Sequence, residues 1–245
     1  MALPVPITCL VATTPDRRQF WPAMFRCFQS QSWQPKQMLL IDEEEFPGEL
    51  PRDVRHMTVL AGTSIGEKLN LGVEASSSSH FHKWDDDDWF GPCFLDSLIQ
   101  PLMSRHRVIS VVNRHLAFIV KDWKIYAMPL PTLGGGTICF DREAWEQRRF
   151  KDLSFGEDLD FIIGRQAVIT VTPDPLNYVL VRHGKNTWKS WSNGRSVEKI
   201  IESTGSPAAA PEAFFSYDDV VFYRSLRDGV FPSEARPQSS LICQP

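Results

Sequence analysis

The sequence predicts an α/β fold, a sheet with helices on its faces, and three observations carry that expectation. Short apolar runs rich in β-branched residues recur along the chain, amphipathic stretches of helical spacing alternate with them, and acidic clusters fall where two of the runs end. Ile7 to Val11 reads as a buried strand closed by Thr13-Thr14-Pro15-Asp16. Phe20, Met24 and Phe28 then recur at helical spacing, with Pro22 tolerable in a first turn. Lys36 to Ile41 is a second strand, ending on Asp42-Glu43-Glu44-Glu45, and Val54 to Leu60 a third. Ser64 with Glu67 spells a capping box that opens a helix through Ala75. After a polar break at Ser76 to Ser79, Phe81 to Trp84 is a strand that ends in Asp85-Asp86-Asp87-Asp88. Ligands of such folds bind beyond the carboxyl ends of the strands, where both acidic clusters fall.

The second half continues the alternation. Phe94 to Met103 is an amphipathic helix, and Val108 to Met128 adds further strands. Gly134-Gly135-Gly136 leads into a strand over Thr137 to Phe140 and a helix from Asp141 to about Arg148. Glu157 and Asp158 stand at the first turn of a helix running to Arg165. Strands follow at Val168 to Val171 and Tyr178 to Val181, then helices at Ser196 to Ser203 and Tyr217 to Leu226, separated by a Pro/Ala linker over Ser206 to Pro211. Phe231 to Pro245 reads as a loosely held tail.

Composition narrows the class. Of 245 residues, 42% are hydrophobic, enough for a substantial core, yet no apolar run approaches the roughly 18 residues of a membrane-spanning helix. Five scattered cysteines without a C-x-x-C suit reduced thiols, and the first ten residues lack the charge and apolar pattern of a secretory signal, so a cytoplasmic protein is expected. The net charge is −4, and the two acidic runs hold 8 of the 30 acids; without them the chain would be basic. That balance disfavours general DNA binding.

Four adjacent carboxylates set between Lys83-Trp84 and Trp89-Phe90 ask for a compensating cation, and hard oxygen ligands suit Mg2+ or Mn2+ with positions left for substrate phosphates. In an extended segment Asp85 and Asp87 would project together and Asp86 and Asp88 oppositely. His80-x-His82 suggests zinc, but no third ligand of suitable spacing accompanies it. Arg182 to Lys199 interleaves basic residues with Trp188 and Trp191, a pattern that could meet phosphates, sugars or single-stranded nucleic acid.

Taken in order, Ala12-Thr13-Thr14-Pro15, Asp42, Lys68-Leu69-Asn70, Asp85-Asp86-Asp87, Gly134 to Gly136 and Glu157-Asp158 resemble the motif series of a GT-A-fold glycosyltransferase of the family 2 type, over about residues 5 to 190. The resemblance implies a Rossmann-like mixed sheet flanked by helices, with a donor half over about 1–92, an acceptor half over about 93–190, and a C-terminal helical extension and tail over 191–245. It implies a metal-dependent, inverting transfer of sugar from a nucleotide-diphosphate donor, with UDP-sugar the expected donor and Mn2+ or Mg2+ the cofactor. Thr13 and Pro15 would lie along the nucleobase, Asp42 would accept from it, and Lys68 would lie near the nucleotide. Asp85 would touch ribose or metal, Asp87 would be the principal metal ligand, and Asp158 the general base with Glu157 beside it. His183 falls where such enzymes place a late metal-closing histidine, and Lys185 could reach the diphosphate. The loop Asp42-Glu43-Glu44-Glu45 departs from the usual Asp-Asp-Gly-Ser. Nucleotidyl transfer on a similar sheet and a non-catalytic nucleotide-sugar binding module are the alternatives. The acceptor stays open among glycans, small molecules, proteins and modified nucleic-acid bases.

Overall fold

A computed structural model describes residues 5–104, 107–128, 135–165, 168–171, 177–190 and 194–229. Gly134, Trp191 and the tail from 231 lie outside them. In chain order the first elements are β1 (Ile7–Ala12), a 3-10 turn (Pro15–Phe20), α1 (Trp21–Ser30), β2 (Lys36–Asp42), β3 (Val54–Thr58), α2 (Ile65–Glu74), β4 (His80–Lys83) and β5 (Trp89–Phe90). There follow α3 (Phe94–Ser104), β6 (Ile109–Val112), β7 (Leu116–Ile119), β8 (Lys124–Ala127), β9 (Cys139–Asp141), α4 (Arg142–Gln147), α5 (Glu157–Ile162), β10 (Val168–Val171) and β11 (Tyr178–Arg182). The chain continues through α6 (Val197–Thr204), β12 (Ser206–Pro207), α7 (Pro211–Phe214) and α8 (Tyr217–Asp228).

The strands form a seven-stranded sheet in the order β10-β6-β9-β4-β1-β2-β3 and a five-stranded sheet in the order β12-β8-β7-β11-β5. In the larger sheet β9 alone runs against its neighbours β4 and β6. Alternate residues of β1 explain why both of its faces are buried. Ile7, Cys9 and Val11 pack with Trp21, Met24 and Phe28 of α1 and Leu98 of α3. Leu10 faces the other way, toward Leu69 and Val73 of α2 and Phe140 of β9. Ser64 caps α2 by accepting from the Glu67 amide, which forms the N-cap half of the expected box, while the Glu67 carboxylate accepts from Asn70 Nδ2 at 3.3 Å.

The polar break before β4 is only half solvated: Ser77 and Ser79 are exposed. Ser76 and Ser78 are buried and close a hydroxyl cluster on Thr8 of β1, at 2.9 and 2.7 Å. Ser206–Pro207, expected as linker, pairs with Ala127 and Tyr126 at the edge of the second sheet, where a proline costs no ladder donor. Beyond 190 the chain shares a core with earlier elements: Phe215, Val220 and Tyr223 pack with Phe20, Phe118 and Val181. His82 lies fully buried, edge-on to Trp84, Phe90 and Phe94, with neither ring nitrogen hydrogen-bonded. Burial pulls it down to about 3, so it is neutral, and it joins no metal-binding group among the described residues. The zinc reading of His80-x-His82 ends there.

Candidate active site

The parallel strands β1, β2 and β4 lie side by side inside the larger sheet, and their carboxyl ends deliver the Thr13 loop, Asp42 and the four aspartates to one end of it. Each aspartate has its own partner. Asp85 pairs with Lys83 Nζ at 2.7 Å. Asp86 accepts from Thr13 Oγ1 at 2.7 Å and from Arg17 Nε at 2.9 Å. Asp87 accepts from Asn186 Nδ2 at 3.1 Å and lies 2.9 Å from His183 Nε2 and 2.7 Å from an Arg17 nitrogen. Asp88 is buried and accepts from the Tyr178 hydroxyl and, at 2.8 Å, from the Val181 amide.

The expected alternation holds only in part. The chain turns at Asp86 and Asp87, so these neighbours share Arg17 instead of projecting to opposite faces. Asp88 does take the structural place, on backbone and tyrosine. Burial would raise every one of these carboxyls. For Asp88 it wins, and the group sits well above the usual range; for Asp87 Arg17 and His183 outweigh it and hold the group below.

Glu157 and Asp158 stand close to the same cluster. Gly135 and Gly136, in a 3-10 turn ahead of β9, make the approach possible: a Cβ on Gly135 would collide with the Asp158 carboxylate, and one on Gly136 with that of Asp85. Consecutive glycines therefore separate Asp158 from Asp85. Glu157, buried at the start of α5, lies 3.8 Å from Lys83 Nζ, so Lys83 stands between Asp85 and Glu157. Burial pushes the Glu157 carboxyl up to about 7 against the pull of Lys83. Asp158 is half-buried and accepts from the Leu159 amide at 2.6 Å. Phe155 and Leu159, on either side of this pair in sequence, are exposed apolar side chains.

Around the first acidic cluster the arrangement is tighter than the sequence suggests. Asp42 is completely buried, with one oxygen taken by Arg18 Nε at 2.9 Å and the other by the Glu43 amide at 2.7 Å; His56 Nε2 is 3.7 Å away. Lys68 is also buried, and its ammonium ties the Thr13 carbonyl to Glu43, each at 2.8 Å. Pro15 opens the 3-10 turn that carries both arginines. Lys185 is exposed; its amide donates to His183 Nδ1 at 3.3 Å, which leaves the proton of a neutral imidazole on Nε2, toward Asp87. Arg182 is buried and bonded to Glu198 and the Trp188 carbonyl, so part of the basic stretch is structural.

Sequence reasoning missed Arg17, Arg18, Lys83, Asn186 and Tyr178. A signal existed for the arginines, because two acidic clusters and one adjacent basic pair converge on the strand ends. Metal ligation has a modest donor set: Asp87 and His183 converge, Asp85 stands nearby, and no group of three or more His, Cys, Asp or Glu gathers to hold an ion among the described residues. The two carboxylates fit a Mg2+- or Mn2+-type ion, which is bound through one or two protein carboxylates plus substrate phosphates and water, whereas the His183 imidazole lies outside the oxygen set that Mg2+ takes.

No protein-family model and no curated protein matches the chain. Solved structures do. S. aureus TarS superposes with a TM-score of 0.56 at 11% identity, over 72% of this chain and 36% of TarS. The TarS 1-349 segment in complex with UDP gives 0.55 at 10% identity, over 72% of this chain and 60% of that one. The mannosyltransferase PcManGT from Pyrobaculum calidifontis, in complex with GDP-Man and Mn2+, gives 0.56 at 14% identity, over 92% of this chain and 70% of PcManGT. The chain thus has a GT-A-type glycosyltransferase fold and spans well under two thirds of the length of TarS. No helix of the described residues is long and apolar enough to cross a membrane.

Proposed function

We propose that the protein is an inverting glycosyltransferase of the family 2 type that moves a sugar, hexosyl in class, from a nucleotide-diphosphate donor, UDP-sugar first, to an acceptor hydroxyl. One observation carries the reading: Gly135 and Gly136 bring Asp158 and Asp85 against one turn, so a carboxylate fit to deprotonate an acceptor shares a site with the acidic cluster at the strand ends. The solved structures that share this fold, among them a UDP complex and a GDP-Man–Mn2+ complex, support the donor class.

In this reading Thr13, Pro15 and Lys68 border the nucleoside, with Asp42 acting through the Arg18 it holds. Asp87 and His183, with Asp85 beside them, would hold Mn2+ or Mg2+, which neutralises the leaving diphosphate when bound. Lys185, exposed on the same loop, would reach toward the diphosphate. Asp158 takes the acceptor hydroxyl proton as that oxygen bonds to C1 and the bond from C1 to the diphosphate oxygen breaks on the opposite side. Glu157, kept beside Lys83, holds the charge balance behind it. Free buried thiols at Cys9, Cys27 and Cys139 support a cytoplasmic setting.

The test is a panel of UDP- and GDP-sugars with and without Mn2+, read by thermal stabilisation and by the released product. Free nucleoside diphosphate supports sugar transfer. Sugar 1-phosphate released from the same donors would redirect the assignment to nucleotidyl transfer, and stabilisation without turnover to a binding module.

A further inference from the structure

Asp87 Oδ2 is crowded. It faces an Arg17 nitrogen at 2.7 Å, His183 Nε2 at 2.9 Å and Asn186 Nδ2 at 3.1 Å. An oxygen with two lone pairs cannot accept well from three donors. Two of them have fixed reasons to be there. Asn186 also donates to the Val181 carbonyl and accepts from the His183 amide, and the His183 ring packs on Phe20 at 4.5 Å between centroids. Arg17 differs because it has a second place to rest: its Nε lies 2.9 and 3.0 Å from the two oxygens of Asp86. The Phe20 ring supports the guanidinium at 5.2 Å.

We propose that Arg17 is a built-in counter-ion that competes with a divalent cation for Asp87 and yields to it by settling on Asp86 alone. The inference rests on Asp87 being the metal ligand of the function proposed above. Without a cation, Asp86 and Asp87 are adjacent anions with little water around them, and Arg17 bridges both. A dication on Asp87 repels a guanidinium at that distance and needs the same lone pairs. Asp86 does not need to give Arg17 up, and Thr13 keeps that carboxylate oriented. Metal entry thus requires a short swing of one side chain.

The test titrates Mn2+ alone into nucleotide-free protein, following free Mn2+ by electron paramagnetic resonance, for the wild type, Arg17→Met and Arg17→Lys. Methionine keeps the apolar stem and removes charge and donors, so Mn2+ should bind about tenfold more tightly. Lysine keeps the charge without the fork that spans two carboxylates and should fall between. Equal or weaker binding by folded Arg17→Met overturns the proposal. If that variant does not fold, Arg17→Lys decides, and affinity at or below wild type overturns it. Absence of Mn2+ binding in wild type and variants alike, with donor still consumed, removes the metal assignment itself and this inference with it.

Discussion

Arg17 and Arg18 are neighbours in sequence and serve different acidic clusters: Arg17 reaches Asp86 and Asp87 beyond β4, whereas Arg18 reaches Asp42 at the end of β2. The cause is the 3-10 turn over Pro15–Phe20, in which successive side chains diverge by about 120°. One turn after β1 therefore supplies a cation to each cluster, while Lys68 pairs with Glu43 and Lys83 with Asp85. This is how a chain of net charge −4 can gather so many carboxylates at the carboxyl ends of neighbouring strands.

Arg18→Met should destabilise the protein by about 3 kcal/mol, the scale for stripping a buried charge of its partner. Asp42 would keep only the Glu43 amide and His56 at 3.7 Å. Urea unfolding measures the loss, and Arg18→Lys should recover part of it. A variant as stable as wild type would mean that Asp42 does not depend on Arg18.

The pH dependence of stability should carry the mark of Glu157. Its folded value of about 7 lies above the ordinary 4.5, chiefly through burial. Between those values the native state binds more protons than the unfolded chain, so stability falls as pH rises from about 4.5 to about 7 and is level above. At 1.36 kcal/mol per unit the contribution is at most about 3 kcal/mol. Glu157→Gln should remove that slope. Urea unfolding of wild type and variant across this window decides, and parallel curves would show that Glu157 ionises freely.

Much of the sheet was legible because burial on both faces leaves continuous apolar runs, as in β1 and β2, and because Ser64 and Gly135 have local chemical reasons to be where they are. The second sheet was harder to see. β5 is two residues long, and β12 contains a proline, so neither carries a period. The acidic residues of the site stood out in sequence, but their partners did not: Arg17, Lys83 and Tyr178 look like solvated or core residues until the chain brings them to a carboxylate. The sequence pattern could not separate Asp87 from Asp88 by role, because only the fold buries Asp88 against Tyr178 and Val181.

Asp87→Ala should abolish Mn2+-dependent binding of a nucleoside diphosphate while Asp86 retains Arg17 and the turn persists. His183→Ala should weaken the same binding less. Its Nε2 carries a proton toward Asp87, and ligation would require moving that proton to Nδ1, against the Lys185 amide. Calorimetric titration with and without Mn2+ measures both. Unchanged metal-dependent affinity in Asp87→Ala would reject it as the ligand.

Asp158→Asn separates catalysis from binding. Asp158 accepts from the Leu159 amide through Oδ1, while its Oδ2 lies against Gly135. An asparagine can keep the first contact through its own carbonyl oxygen and preserve the shape beside the glycine. What it cannot do is take a proton from an acceptor hydroxyl. Donor affinity should therefore stay near the wild-type value, while turnover falls by roughly 10²-fold or more, the usual scale for losing a general base. The two readouts are diphosphate binding by titration and its release from donor sugar. Full activity would pass the role of base to Glu157, whose carboxyl near 7 is otherwise suited to it but which is buried beside Lys83. Loss of binding together with turnover would instead make Asp158 part of the scaffold that Gly135 fits around.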